Sequence, residues 1–130
     1  MYNKKIQIKP ALSKGIQDLC ENNTEVHVIS LCTADGFSIQ SFVAQGQETE
    51  SDKLAALSST ISALSNSSAK QVLQEQFDIT IIEANSGNML FVRTSYLGSP
   101  CVLTVVANAK MALATARYKT KKLADLISAI

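Results

Sequence analysis

The chain has no tryptophan, one histidine, two prolines and three cysteines among its 130 residues. Each scarcity removes a class of function. His27 stands alone, with no Asp/Glu-x-x-His spacing around it, so a histidine-based metal site cannot be assembled. Its place within an apolar stretch marks it as a structural residue rather than a base. Cys20, Cys32 and Cys101 form an odd, widely spaced set without a C-x-x-C pair, which indicates neither a disulfide framework nor a zinc site. With only five glycines there is no P-loop, no G-x-G-x-x-G and no G-x-S-x-G, so neither a nucleotide nor an acyl-enzyme has an anchor. Residues 67–70 (SSAK) match S-x-x-K in form, but the partner motifs of that chemistry are missing. Arg93 and Arg117, the only arginines, read as surface charges rather than inserted fingers. No catalytic, metal-binding or cofactor-binding residue is expected, and the chain does not read as an enzyme.

Long apolar runs are also missing. A membrane span needs about 20 predominantly apolar residues, and the opening "MYNKKIQIKP" lacks the apolar core of a secretory signal. The expectation is a cytoplasmic protein with no membrane insertion. Net charge is only +1, yet it is uneven. Residues 1–14 carry +4 and residues 110–130 carry +4, which leaves −7 for the middle. Lysines on the wet faces of two terminal helices account for this, and no nucleic-acid partner is expected.

What is present is the composition of a folded protein: 46% hydrophobic and 18% charged residues, read as a single domain over 1–130. Pro10 suits the first turn of a helix over about 10–22, with Leu12, Ile16, Leu19 and Cys20 in one stripe. Residues 25–33 (EVHVISLCT) are apolar on both faces, as a covered strand should be. Asp35-Gly36 predicts a type I′ hairpin leading into an edge strand over 37–43. Three further strands follow, at 77–84, 89–94 and 101–107, the last dense enough for a sheet centre. A final helix is expected over about 109–129, with Leu113, Ala116, Thr120, Leu123, Ile127 and Ile130 in phase. The order α-ββ-α-βββ-α is that of an α+β fold, an antiparallel meander of five strands with helices packed on its faces. Phe37, Phe42, Phe77 and Phe91 are candidate core residues.

The stretch "LAALSSTISALSNSSAKQ" (54–71) is rich in serine, yet Leu54, Leu57, Ile61 and Leu64 recur at helical spacing. A helix over about 51–76 follows, opened by a capping box from Thr49 and Asp52. Burying the four aliphatics contributes roughly 1.5–3 kcal/mol each, which outweighs the weak helix propensity of serine. The phase directs those aliphatics at the sheet and leaves Ala55, Ser59, Ser62, Asn66, Ala69 and Leu73 on the far side. That side is uncharged where a monomer would place charge. It therefore reads as a dimer interface with a second copy, extended by Ile79 and Ile81 of the following strand, whose edge needs cover. A small-molecule sensor with a pocket between sheet and helix is the alternative, and a cytoskeletal adaptor is a third.

Taken together, "LCTADGFSIQSF", "KLAALSSTISALS", "GNMLFV", "LTVVANAK" and "LADLI" resemble the roadblock family, which includes the dynein roadblock light chain and bacterial relatives. The resemblance runs from about residue 25 to residue 130. It implies a five-stranded antiparallel sheet with the long helix on one face and the terminal helices on the other. It further implies homodimers in which the long helices pair and the third strands join. Members are non-catalytic platforms, often for Ras-like small GTPases, and some bacterial ones stimulate hydrolysis. The glycine common at the start of the family's last helix is absent here, where Ala112 stands nearby, so the resemblance assigns no GTPase-contact residue.

Overall fold

The computed structural model describes residues 6–130; Lys4 and Lys5 of the basic N-terminal segment lie outside them. The elements run α1 (Pro10–Asn22), β1 (Val26–Thr33), β2 (Ser38–Val43), α2 (Ser51–Leu73), β3 (Ile79–Glu83), β4 (Gly87–Tyr96), β5 (Ser99–Asn108) and α3 (Leu113–Ser128). This is the expected α-ββ-α-βββ-α order. All strands join one antiparallel sheet in the order β2-β1-β5-β4-β3. The strand read as central, β5, is in the middle.

The sheet is not a simple meander. The chain leaves at one edge, β2, crosses a whole face as α2, and re-enters at the opposite edge as β3. Five strands about 4.8 Å apart span roughly 19 Å. From Ser51 to Ser65 α2 rises about 21 Å at 1.5 Å per residue, so that much of the helix suffices for the crossing. Ser51 meets Ser41 of β2, and Ser65 meets Thr80 of β3. The last turn, from Lys70 to Leu73, is surplus to the crossing and solvent-exposed, with Val72 at 74% and Leu73 at 64%.

The two layers are unequal. Between the sheet and α1/α3 lies the main core, including Leu12, Ile16, Leu31, Leu90, Leu103, Leu123 and Ile127. Under α2 only Cys32, Ala55, Phe91 and Val102 are buried together, with Ile61 and Met89 partly so. Tyr96 ties α1 down: its hydroxyl accepts from the Lys9 amide at 2.8 Å and donates to the Gln7 carbonyl at 2.6 Å. Asp78, just before β3, pairs with Lys121 and with Arg117 (3.7 Å) on α3.

Several local expectations are corrected. The β1–β2 turn is not type I′: the Gly36 amide donates to Thr33 O, so Ala34 and Asp35 are its central residues, and Gly36 alone takes positive φ (98°). A type I turn followed by a left-handed glycine is the longer-loop solution. The two-residue turn with positive φ at both positions is instead Leu97-Gly98, between β4 and β5. No capping box opens α2; Glu50 is its N-cap and makes no side-chain cap bond. The helix stops at Leu73, short of 76, because Gln74 adopts a left-handed conformation (φ 57°) and its amide returns to Lys70 O. α3 starts at Leu113, past 109, because Asn108 Oδ1 accepts from the Lys110 amide in a turn. Phe37 is no core residue; it is 58% exposed.

Candidate interaction surface

The uncharged helix is present, but its faces are turned about a quarter turn from the expected phase at 100° per residue. Residues Ser51, Leu54, Ala55, Ser58, Ile61, Ser62 and Ser65 lean toward the protein's own sheet. Three serines seven residues apart each meet a sheet hydroxyl: Ser51 with Ser41 at 2.9 Å, Ser58 with Thr104 at 2.7 Å, and Ser65 with Thr80 at 2.5 Å. Small side chains let the helix approach the strands closely, and the hydroxyl pairs satisfy groups that the approach dries. Periodicity of large aliphatics alone could not reveal this, since the partner hydroxyls come from distant strands.

Most of the residues assigned to the outward face therefore lie elsewhere. Ala55 is fully buried and Ser62 is 9% exposed, both against the sheet. Ser59 Oγ donates to Ala34 O at 2.6 Å, and Asn66 Oδ1 accepts from the Phe77 amide at 3.3 Å. Ala69 is half-buried. Ile79 and Ile81 pair with Val92 and Leu90 and pack into the main core, on the sheet face opposite α2. Only Leu73 among the eight is freely exposed.

The outward surface is made instead by the leucines. Leu57 is 45% and Leu64 67% exposed, seven residues apart on one side of α2, with Ala56, Thr60, Ala63 and Ser67 exposed around them. No charge interrupts α2 from Leu54 to Ala69. On β3, which is a sheet edge as expected, Ile82 projects on the α2 side and is 41% exposed. An apolar helix flank, an overhanging helix end and an unpaired strand edge are thus left uncovered.

The chemistry elsewhere is muted. Burial pushes the Cys32 thiol up to about 12 and the Cys101 thiol to about 11. They lie on opposite sheet faces, Cys32 under α2 and Cys101 in the main core. Burial and then neighbouring Glu21 also raise Cys20. Arg93 donates to Phe77 O at 3.4 Å and Arg117 pairs with Asp78, so both arginines are engaged within the chain. Among the described residues no group of three or more His, Cys, Asp or Glu is placed to hold a metal ion, and no helix is long and apolar enough to cross a membrane.

No protein-family model matches the chain, and no curated protein matches it. Solved structures do. Myxococcus xanthus MglB superposes with a TM-score of 0.82 at 21% identity, over 95% of this chain and 96% of that one. The gliding protein MglB of Thermus thermophilus gives 0.81 at 13% identity, over 99% and 96%. A Roadblock/LC7 domain from Streptomyces avermitilis gives 0.73 at 18% identity, over 86% and 90%. The agreement covers nearly the whole of each partner, and the chain has the fold of the roadblock domain.

Proposed function

We infer that this protein is a non-catalytic, homodimeric regulator that works by binding a Ras-like small GTPase. The observations that carry the dimer are the uncharged flank of α2, where Leu57 and Leu64 stand exposed, and the open edge of β3. Exposed leucines at this spacing forgo about 1–2 kcal/mol of burial each in a monomer, and an unpaired strand edge invites pairing. A second copy supplies cover for both, because a two-fold axis places each helix flank and each β3 edge against its own counterpart. The seam therefore runs through Leu57, Leu64 and Ile82, not through the serines.

The GTPase reading comes from the resemblance to roadblock platforms and from the likeness of the fold to MglB. A dimer of this kind offers a broad, rigid surface and needs no catalytic side chain of its own. The test is capture by the immobilised protein from lysate loaded with GTPγS or with GDP, followed by mass-spectrometric identification. A Ras-like protein retained in one nucleotide state and not the other is the expected result. Equal retention in both states, or no such protein, overturns the GTPase reading and leaves the dimer to be tested separately.

A further inference from the structure

At the end of the sheet where the β1–β2 and β4–β5 hairpins turn, a cavity of about 650 Å³ opens between the two tips. Its walls are largely apolar, with Ile6, Phe37, Ile39, Tyr96, Leu97 and Pro100, and Asp35 is the one charged residue among the described residues that line it. Ile39 and Tyr96 belong to the core on the α1/α3 side, so the groove lies on the face away from α2. A dimer built on α2 would leave it free.

Both walls are held rigidly. The Thr33 amide donates to Phe37 O at 2.8 Å, and the Phe37 amide donates to Thr33 Oγ1 at 3.0 Å. The Ala34 amide donates to Pro100 O at 2.9 Å, which ties one tip to the other. The Tyr96 ring, 2% exposed, is fixed through its hydroxyl. Yet the two largest rim side chains add little to the fold, since Phe37 is 58% and Leu97 44% exposed. Leu97 also sits at φ 50°, a region that costs a non-glycine residue about 1 kcal/mol. A turn of this kind ordinarily takes Asn, Asp or Gly. Here it carries a leucine in an unfavourable conformation and points apolar surface at solvent. Strain of this kind persists where the surroundings hold it, and it concentrates at binding sites and clamps.

We propose that this groove docks an extended segment of a partner protein, with a large apolar side chain between Phe37 and Leu97 and an adjoining Lys or Arg on Asp35. The charge selects the occupant. Among the described residues no Lys or Arg lines the groove, and Asp35 has no ion-pair partner. The groove is open at its rim, where Ala34, Asp35, Phe37, Leu97 and Pro100 are all exposed. A small molecule is ordinarily enclosed over most of its surface, whereas a side chain delivered by a peptide needs only a slot and a fixed charge beside it.

The test is titration of ¹⁵N-labelled protein with three blocked dipeptides: Ac-Phe-Arg-NH2, Ac-Phe-Glu-NH2 and Ac-Ala-Arg-NH2. Ac-Phe-Arg-NH2 is expected to shift the amides of Phe37, Ile39, Leu97 and Ser99 in a saturable way. The other two should bind roughly five-fold more weakly, as fits a partly exposed ion pair and a lost aromatic contact. Asp35→Asn keeps a residue suited to the turn and should erase the preference for Arg over Glu without abolishing binding. Phe37→Ser should abolish it while leaving the spectrum otherwise folded. Equal binding of the Arg and Glu peptides to the unaltered protein, or shifts confined to other surfaces, would overturn the proposal. So would benzyl alcohol binding as tightly as Ac-Phe-Arg-NH2, which would mark a small-molecule cavity.

Discussion

Ser58 Oγ lies 2.7 Å from Thr104 Oγ1, and neither residue is exposed at all. This pair holds the middle of α2 against the central strand, in a layer with few large apolar side chains. Removing one hydroxyl strands the other in a dry seam. Ser58→Ala and Thr104→Val are each expected to lower unfolding free energy by about 1–3 kcal/mol. The double variant should lose less than the sum, since no hydroxyl is then orphaned. Urea denaturation of the four proteins closes the cycle. Additive losses would show that the two groups do not depend on each other.

Tyr96→Phe deletes one hydroxyl that serves two main-chain groups, the Lys9 amide and the Gln7 carbonyl. The expected cost is about 1–3 kcal/mol. Hydrogen exchange should quicken first at Lys9, whose amide loses its acceptor, and in the first turn of α1. Uniform acceleration across the sheet would instead mark a general loss of packing.

Leu97→Gly should stabilise the protein by about 1 kcal/mol, because glycine takes positive φ without the steric cost a leucine bears at 50°. Thermal unfolding would register this as a rise in Tm. A fall would mean that the leucine side chain contributes more to the hairpin end than its backbone costs.

The buried thiols set an alkaline limit. Both favour the neutral form in the folded state, with Cys32 raised from the ordinary 9.0 to about 12 and Cys101 to about 11. Above pH 9 the unfolded chain releases protons that the folded chain retains, so this stability is present below pH 9 and is lost as pH rises through about 11 for Cys101 and about 12 for Cys32. Cys32→Ala should flatten that decline in urea midpoints measured between about pH 8 and pH 10.5. At about pH 8 the native protein should give one rapid equivalent with a thiol reagent, from half-exposed Cys20, and three after unfolding.

Much of this fold was legible because large side chains carry strong periodicity. The two-sided apolar run of β1, the density of β5 and the phase of Ala116, Thr120, Leu123 and Ile127 in α3 all appear in the structure as read. What failed was the orientation of α2. Leu54 and Ile61 do face the sheet as read, but Leu57 and Leu64 do not, because the sheet beneath α2 presents Ser41, Thr104 and Thr80, and the serines of the helix meet them. A single chain's periodicity cannot say which of two faces a helix buries when both are uncharged. The ends of α2 and α3 were missed for a related reason: Gln74 in a left-handed cap and the Asn108 turn lack the glycine or proline that usually marks such places.

The orientation of α2 can be tested with two neighbouring residues. Leu64 is 67% exposed and Ser62 9%. Sedimentation equilibrium at micromolar concentration, with thermal unfolding alongside, should be run on the unaltered protein, Leu64→Glu and Ser62→Glu. The unaltered protein should have the mass of two chains. Leu64→Glu should have the mass of one while remaining folded, because it sets two like charges into the seam of an otherwise tolerant surface. Ser62→Glu should lower thermal stability sharply by forcing a charge under the helix. A Leu64→Glu protein that stays a dimer, or an unaltered protein that is a monomer, would contradict assembly through the leucine face of α2.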